Sequence, residues 1–341
     1  MNVTEVYKGI ANIYNEGNVS GNGSMGLFNI PPSINKATNI FSIVVLFITM
    51  ISLGCTMEIS KIKVHLLKPK GVAIALLAQF GLMPLTAFSL AKMLQMEPVK
   101  AVTVLICGCC PGGNLSNIFS LALKGDMNLS IVMTTCSSVV ALGLMPLLLY
   151  IFSQGFPGLE NAVPYFGIIF TLVFSLVPCG IGIAINHYKP KYSTIIRNAG
   201  LSIMGVICIV GTILFSVAFK DILWMVLTPD FLVVVTLMPM TGFMLGYGMS
   251  VLCRLTPQCS RTVSMETGCQ NIQLCTTILK VAFPPEIIGP MFFFPLLYCT
   301  FQCGEAILLF LCFRCYQVFK PPTANGVDFK NGTEEEITAI K

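Results

Sequence analysis

The stretch Leu237-Met-Pro-Met-Thr-Gly-Phe243 decides the fold, because it repeats an earlier one, Leu82-Met-Pro-Leu-Thr-Ala-Phe88. Five of the seven residues are identical at an offset of 155 residues. A second pair of segments extends the correspondence, since residues 117–124 and 271–280 both open with Asn-Ile and close with Leu-Lys. A repeat of this spacing indicates that the chain contains two related halves.

The composition places both halves in a membrane. Hydrophobic residues make up 55% of the 341 residues and charged residues only 10%, and the mean hydropathy is +0.82. Nine apolar segments are each long enough to cross a hydrocarbon layer about 30 Å thick as a helix. They cover roughly residues 38–57, 71–94, 101–123, 127–153, 164–186, 196–219, 222–252, 262–283 and 287–316. The sequence therefore predicts an all-α polytopic membrane protein with nine transmembrane helices.

The repeat also predicts how the two halves are related. Each helix of the first half corresponds to the helix five places later. An odd displacement reverses the direction of crossing, so the halves are predicted to be inverted repeats, the construction of many secondary transporters. The fifth helix has no partner and would link the halves. The predicted domains are an extracellular N-tail (residues 1–36), a nine-helix transporter domain (37–320) and a cytoplasmic C-tail (321–341).

Loop charges indicate the orientation. With the N-terminus outside, the inner loops and the end of the last helix carry twelve Lys and Arg residues against six in the outer segments, in agreement with the positive-inside rule. Glycosylation sequons at Asn2, Asn18 and Asn22 agree with an extracellular N-tail. The net charge of +5 is spread along inner loops, which favours contact with a lipid surface rather than with nucleic acid. We therefore predict a multi-pass membrane protein with its N-terminus outside and its C-terminus in the cytoplasm.

The third and eighth helices are predicted to be interrupted at the same depth. Cys110-Pro-Gly-Gly-Asn-Leu-Ser-Asn117 places a proline and two glycines near the middle of one span, and Met265-Glu-Thr-Gly-Cys-Gln-Asn271 places a glycine among polar residues in the other. Pro111 or Gly268 alone would be compatible with a simple kink. Two breaks at repeat-related positions favour a binding site, because non-helical backbone at membrane depth is tolerated where it lines a cavity or is buried in protein.

Glu266 lies in the middle of the eighth helix. A charged group there costs at least about 2.5 kcal/mol on insertion scales, so an acid at this depth is a candidate functional residue. We expect Glu266 to be the single full charge near the breaks, surrounded by the oxygen donors that hard alkali ions prefer. His65 and His187 fall in inner loops, so a zinc site is not supported and Na⁺ is the only metal expected. The oxygen donors are Ser116, Asn117, Thr267, Gln270 and Asn271 beside the breaks, and Gln79, Ser130 and Thr134 on the second and fourth helices.

At these residues the chain resembles the sodium/bile acid cotransporter family, over about residues 38–320. Within that family it is more similar to the liver-type branch than to the ileal type, which implies the basolateral membrane of liver cells. The motifs that carry the resemblance are Ser52-Leu-Gly-Cys-Thr-Met-Glu58, Gly108-Cys-Cys-Pro-Gly-Gly-Asn-Leu-Ser-Asn117, Gly125-Asp-Met-Asn-Leu-Ser-Ile-Val-Met-Thr-Thr-Cys136 and Arg261-Thr-Val-Ser-Met-Glu-Thr-Gly-Cys-Gln-Asn271.

The resemblance implies a panel domain of helices one, five and six, and a core domain of helices two to four and seven to nine. The third and eighth helices would cross at their unwound centres. Two sodium sites would share Glu266, and Asn271 would contact the substrate. Sodium site 1 would be formed by Ser116, Asn117, Ser130, Thr134 and Glu266, and sodium site 2 by Gln79, Glu266, Gln270 and the backbone carbonyls of Thr267 and Cys269.

The implied function is sodium-driven uptake of conjugated bile salts, or related amphipathic anions, by alternating access. No enzymatic activity is predicted, and no cofactor other than Na⁺ as the coupling ion. A sodium-coupled carrier of sulfated steroids is an alternative that would share the ion sites. A membrane receptor or channel is an alternative of another class, disfavoured by the nine predicted helices, the inverted repeats and the lack of a selectivity-filter motif. Cys312 and Cys315, at the inner end of the last helix, are candidates for palmitoylation.

Overall fold

The computed structural model describes residues 32–57, 69–157, 159, 163–218, 227–283 and 288–319. The predicted glycosylation sites Asn2, Asn18 and Asn22 lie outside these residues, as does the predicted C-tail. The described residues are helical, with no strand among them. The elements are α1 (Pro32–Thr56), α2 (Lys70–Leu77), a π-helical turn (Ala78–Leu82), α3 (Met83–Met93), α4 (Pro98–Cys109), α5 (Asn114–Ala122), α6 (Met127–Ser153), α7 (Tyr165–Tyr188), α8 (Pro190–Ala218), α9 (Pro229–Leu252), α10 (Pro257–Gly268), α11 (Ile272–Val281), a 3-10 turn (Gly289–Phe293) and α12 (Phe294–Phe319).

Six helical segments in the described part of the chain are long and apolar enough to cross a membrane. They correspond to the predicted helices one, two, four, five, seven and nine. The third and eighth appear as pairs of shorter helices, in which α4 and α11 are apolar, and the sixth corresponds to α8, which is 29 residues long. The all-α, multi-span class is thus confirmed, while the number of nine crossings stays a prediction.

Proline residues set several helix starts that hydropathy misplaces. α4 begins at Pro98 and α10 at Pro257, whereas the apolar segments predict starts at residues 101 and 262. Proline suits the first position of a helix because its φ is preset and no hydrogen bond is lost there. The first turns that follow these prolines contain Lys100 in α4 and Gln258, Ser260 and Arg261 in α10, and these polar residues move the start of the apolar segment further along the chain.

The turns that lead into the two interrupted helices have the same backbone geometry. Gln95 after α3 has φ 50° and Arg254 after α9 has φ 56°. In both turns the amide before this residue bonds to the carbonyl four residues back, and the amide after it bonds to the carbonyl five residues back. Lys124 (φ 54°) repeats the pattern after α5. The same turn thus ends three helices, two of which are corresponding elements of the two halves.

Two groups of helices pack closely through small residues. α1 packs on α7 and α8, and these two also contact each other. A Cβ atom on Gly54 of α1 would lie only 2.9 Å from the Cα of Gly182 in α7. In the same way a Cβ on Gly242 of α9 would lie 2.9 Å from the Cα of Gly268 in α10. Small residues allow such close approach of membrane helices. The first group consists of the helices assigned to the panel, and the division into panel and core stays a prediction.

Candidate functional site

Both predicted interruptions are present, at the predicted positions. The first half of the third predicted helix, α4, ends at Cys109, and its second half, α5, begins at Asn114. Likewise α10 ends at Gly268 and α11 begins at Ile272. Four residues separate the halves in the first case and three in the second. These are full interruptions rather than kinks, and each leaves helix termini with free backbone groups inside the protein.

The two interruptions cross and bind each other. Gly112 and Gln270 form an isolated antiparallel bridge. The Gly113 amide donates to the Cys269 carbonyl at 3.1 Å, and the amide after Gln270 donates to the Pro111 carbonyl at 3.0 Å. Buried backbone groups need such partners, and here each break supplies them to the other. The antiparallel direction is the one expected for helices related by inversion.

Glycine is required where the segments cross. A Cβ on Gly113 would lie 2.7 Å from the Gln270 carbonyl oxygen, and a Cβ on Gly112 would lie 2.9 Å from the Cδ of Glu266. A larger residue at Gly113 would require the backbone of the opposite break to move, and one at Gly112 would require the Glu266 side chain to move. The Glu266 carboxylate therefore packs directly against the bare backbone of the opposite break, a contact that the Gly-Gly pair alone did not reveal.

Glu266 is buried at the centre of this crossing, with 1% of its surface exposed. Its Oε2 accepts hydrogen bonds from Ser116 Oγ at 2.6 Å and from Thr134 Oγ1 at 3.0 Å. Its Oε1 is buried and has no hydrogen-bond partner among the described residues. Oε2 is therefore held by two hydroxyl groups, whereas Oε1 lacks the hydrogen bond or cation that a buried charge requires.

Asn117 and Ser130 complete the first predicted set. Ser130 Oγ donates to Asn117 Oδ1 at 2.8 Å and lies 3.3 Å from Ser120 Oγ. Ser116 Oγ lies 3.5 Å from Thr134 Oγ1. The structure thus brings all five members of the first set together from α5, α6 and α10, and it adds the buried hydroxyl of Ser120, which the sequence analysis missed.

Gln79 joins the second predicted set. Its Nε2 donates to Gln270 Oε1 at 2.9 Å and to the Cys110 carbonyl at 2.7 Å, while its Oε1 is buried without a partner among the described residues. Gln270 Nε2 donates in turn to the Thr267 carbonyl at 3.2 Å. The carbonyls of Thr267 and Cys269 thus already accept hydrogen bonds, and each carbonyl oxygen retains a second lone pair. The Cys110 carbonyl is a contact that the sequence analysis did not identify.

A π-helical turn positions Gln79. The turn covers Ala78–Leu82 inside the otherwise α-helical second span. Pro84 lies four residues after Phe80 and cannot donate to its carbonyl, which disturbs the α-helical hydrogen bonding in this turn. Single π turns occur often at functional sites. Pro84 is visible in the sequence, but periodicity does not distinguish a π turn from an α-helix.

Asn271 has a structural role in addition to the substrate contact predicted for it. Its Oδ1 caps α11 by accepting from the Leu274 amide at 3.1 Å. It also lines a small cleft between α1 and the crossing. Asn114 lies across this cleft and donates from Nδ2 to the Thr49 carbonyl of α1 at 3.1 Å. The cleft is further lined by Met50, Leu115, Ile272 and Gln273.

Two polar residues of α12 were missed by the sequence analysis. Gln302 is fully buried, and its Oε1 accepts from the Gln270 amide at 3.1 Å. Glu305 lies one turn further along the same helix, inside a segment that is long and apolar enough to cross a membrane. The expectation that Glu266 is the single charge near the breaks was therefore wrong. Glu305 was visible in the ninth apolar segment, but only the tertiary structure brings α12 against the eighth helix.

Comparison with known proteins gives consistent matches. A model of the Sodium Bile acid symporter family matches residues 43–226. The chain is 54% identical over 302 residues to the hepatic sodium/bile acid cotransporter of Homo sapiens, covering 86% of both chains. It is 51% identical over 319 residues to the protein of that name from Rattus norvegicus, covering 91% of this chain and 88% of the relative. A sodium-dependent organic anion transporter of Homo sapiens is 40% identical over 303 residues, covering 87% and 78%.

Proposed function

The chain belongs to the Sodium Bile acid symporter family, and we propose that it couples the entry of Na⁺ to the uptake of conjugated bile salts by alternating access. The observation that carries this proposal is the environment of Glu266. Its carboxylate is buried, one oxygen is held by Ser116 and Thr134, and the other has no partner among the described residues. A small cation from solution is the partner that this arrangement lacks.

Two Na⁺ sites on either side of Glu266 would use the groups that already meet there. The hydroxyls of Ser116, Ser130 and Thr134 each have lone pairs that can turn toward an ion when their hydrogens turn away. At the second site, the unpartnered Oε1 of Gln79 is an oxygen of the kind Na⁺ prefers. Sodium site 1 would consist of Ser116, Asn117, Ser130, Thr134 and Glu266, and sodium site 2 of Gln79, Glu266, Gln270 and the carbonyls of Thr267 and Cys269.

Alternating access would be a movement between the panel, α1 with α7 and α8, and the core formed by the other helices. The cleft that contains Asn271 and Asn114 lies where α1 meets the crossing. A bile salt bound there would contact both bodies, and Na⁺ at Glu266 would stabilise the crossing beneath it. In this proposal the chain crosses the membrane nine times and has an extracellular N-tail with glycans at Asn2, Asn18 and Asn22. The protein lies in the basolateral plasma membrane of liver cells.

The energetics of such a symporter are adequate. Two Na⁺ moving down a roughly tenfold gradient supply about 2.8 kcal/mol. If the substrate is a monovalent anion, one net charge crosses the membrane, and a potential of roughly 50 mV adds about 1.2 kcal/mol. The sum corresponds to an accumulation of about a thousandfold.

Uptake by reconstituted vesicles tests the proposal. Purified protein in liposomes is given labelled taurocholate with an inward gradient of either Na⁺ or choline, and protein-free liposomes provide the background. We expect uptake above background in Na⁺ alone. Equal uptake in both buffers would contradict sodium coupling, and taurocholate uptake at background in both would contradict the proposed substrate.

A sulfated steroid is a second candidate substrate, since it is an organic anion and a sodium-dependent organic anion transporter is 40% identical to this chain. The Na⁺ ligands would be the same for either substrate, so the preference for a bile salt or a steroid sulfate would be decided in the cleft that contains Asn271. Competition between taurocholate and a steroid sulfate for Na⁺-dependent uptake by the purified protein separates the two. The better substrate is the one that inhibits uptake of the other at the lower concentration.

A further inference from the structure

The end of α12, which is its cytoplasmic end in the orientation proposed above, carries two thiols on its surface. Among the cysteines in the described part of the chain, Cys312 and Cys315 are the exposed ones, and the others are buried or half-buried. A cysteine inside a protein acts as a small hydrophobic residue, which accounts for the buried thiols. It does not account for these two, and the proposed transport mechanism does not use them.

Both cysteines lie on a face of α12 that is turned away from the protein. The spacing i, i+4, i+7 and i+11 keeps residues on one side of a helix, and the residues at this spacing are Leu308, Cys312, Cys315 and Phe319. The two apolar members, Leu308 and Phe319, are 60% and 83% exposed. Phe310, on the opposite side, packs against a buried apolar cluster. Because this segment is long and apolar enough to cross a membrane, its exposed face meets lipid.

Two observations place the thiols at the level of the membrane surface. The ring of Phe313, between the two cysteines in the chain, lies 5.1 Å from the Arg261 guanidinium carbon, and Arg261 donates to the Lys124 carbonyl at 2.8 Å. Basic residues are enriched at the cytoplasmic surface of a membrane. In addition, the apolar segment that begins at Met291 reaches Cys312 after about 32 Å at 1.5 Å per residue, just beyond a hydrocarbon layer about 30 Å thick.

The surroundings of the pair favour modification by a lipid over a metal ion or a disulfide. No group of three or more His, Cys, Asp or Glu side chains that could hold a metal ion occurs within the described ranges. Thiols on the cytoplasmic side of a membrane stay reduced, so both sulfur atoms remain available as nucleophiles. Cysteines beside the membrane end of a helix are typical positions of S-acylation.

We propose that Cys312 and Cys315 are S-acylated with long-chain fatty acids, and that the acyl donor is a fatty acyl thioester of coenzyme A. In each transfer the cysteine sulfur, as a thiolate, attacks the acyl carbonyl carbon. The bond between that carbon and the sulfur of coenzyme A breaks, and coenzyme A leaves as a thiolate that takes up the proton lost by the cysteine. The inference uses the orientation of the proposed function but neither its substrate nor its coupling ion.

The attached chains lie in the lipid along the exposed face of α12, beside Leu308. The helices already hold the protein in the membrane, so the chains are not needed for attachment. They instead hold the end of α12 at the membrane surface, because each buried methylene group of an acyl chain opposes its withdrawal from the lipid.

A thiol-exchange assay on the full chain, expressed in cultured cells, counts the acylated cysteines. Free thiols are blocked in unfolding detergent, thioesters are cleaved with hydroxylamine, and each released thiol is coupled to a maleimide polymer of fixed mass. We expect two additions in the wild type, one in Cys312→Ser and in Cys315→Ser, and none in the double variant. Cys259→Ser is the matched control, since Cys259 lies in the first turn of α10 but is half-buried; it should keep both additions.

The outcomes are distinct from those that test the proposed function. A wild type without hydroxylamine-dependent additions, in cells whose other acylated proteins show them, overturns the proposal, and so do additions that persist in the double variant. A single addition overturns the assignment of both residues. If the double variant is not expressed, the loss of one addition in each single variant supports the proposal and its absence overturns it. Failure of Na⁺-dependent taurocholate uptake by the reconstituted wild type would contradict the proposed function and leave the acylation result unchanged.

Discussion

At the scale of single residues, the burial of Glu266 makes it the most sensitive position. Glu266→Gln keeps the size and one oxygen but removes the charge that would attract a cation. We expect the initial rate of taurocholate uptake to fall at least about tenfold, a loss of roughly 1.4 kcal/mol, with surface expression retained. The measurement is uptake rate against Na⁺ concentration at matched surface levels. Glu97→Gln is the control, because Glu97 is exposed at the start of α4. A Glu266→Gln protein with the wild-type sodium curve would remove Glu266 from the mechanism.

Replacing Gln79 tests whether its side chain is a Na⁺ ligand or only a contact between helices. If Gln79 only bonds across helices, to Gln270 and the Cys110 carbonyl, its loss costs roughly 0.6 kcal/mol of stability and leaves the sodium dependence unchanged. We instead expect Gln79→Ala to raise the Na⁺ concentration for half-maximal uptake several-fold. Gln154→Ala, at an exposed position after α6, should behave as the wild type. An unaltered sodium curve for Gln79→Ala would support the packing role.

At the scale of elements, the close crossing of the two breaks predicts that Gly112 tolerates no side chain. The Cβ of an alanine there would lie 2.9 Å from Glu266 Cδ, so Gly112→Ala must displace the carboxylate or the bridge to Gln270. We expect most Na⁺-dependent uptake to be lost. Gly143→Ala in α6 is the matched control, since its Cβ would meet no atom within 4 Å and alanine favours the helix. Equal uptake by the two variants would show that the close approach is not needed.

The same elements show what can be predicted from the sequence. The interruptions were predictable because proline and paired glycines act locally on the backbone. The π turn around Gln79 was not, since its apolar pattern is the same as that of an α-helix. The bond between Gln302 and the Gln270 amide required the packing of α12 on the crossing, which no local pattern contains. Local chemistry thus predicted where the chain is broken, while the partners of each break depend on tertiary contacts.

At the scale of the whole molecule, the bond from Asn114 Nδ2 to the Thr49 carbonyl joins the proposed core to the proposed panel. Alternating access requires these bodies to move relative to each other. A chain carrying Thr49→Cys and Asn114→Cys, cross-linked by a mild oxidant, should therefore stop transporting while it still binds ²²Na⁺ at Glu266. Reduction should restore uptake, because thiol–disulfide exchange is reversible.

The native thiols require a specific control. The described cysteines are free, and several of them are buried near the crossing, so the wild type and both single variants receive the same oxidant and should keep their uptake. Loss of uptake in the double variant alone then reports the link between α1 and the crossing. If the cross-linked double variant transports as fast as it does after reduction of the disulfide, α1 and the crossing move as one body. In that case the moving boundary would have to lie elsewhere, and the cleft that contains Asn271 could not be the alternating site.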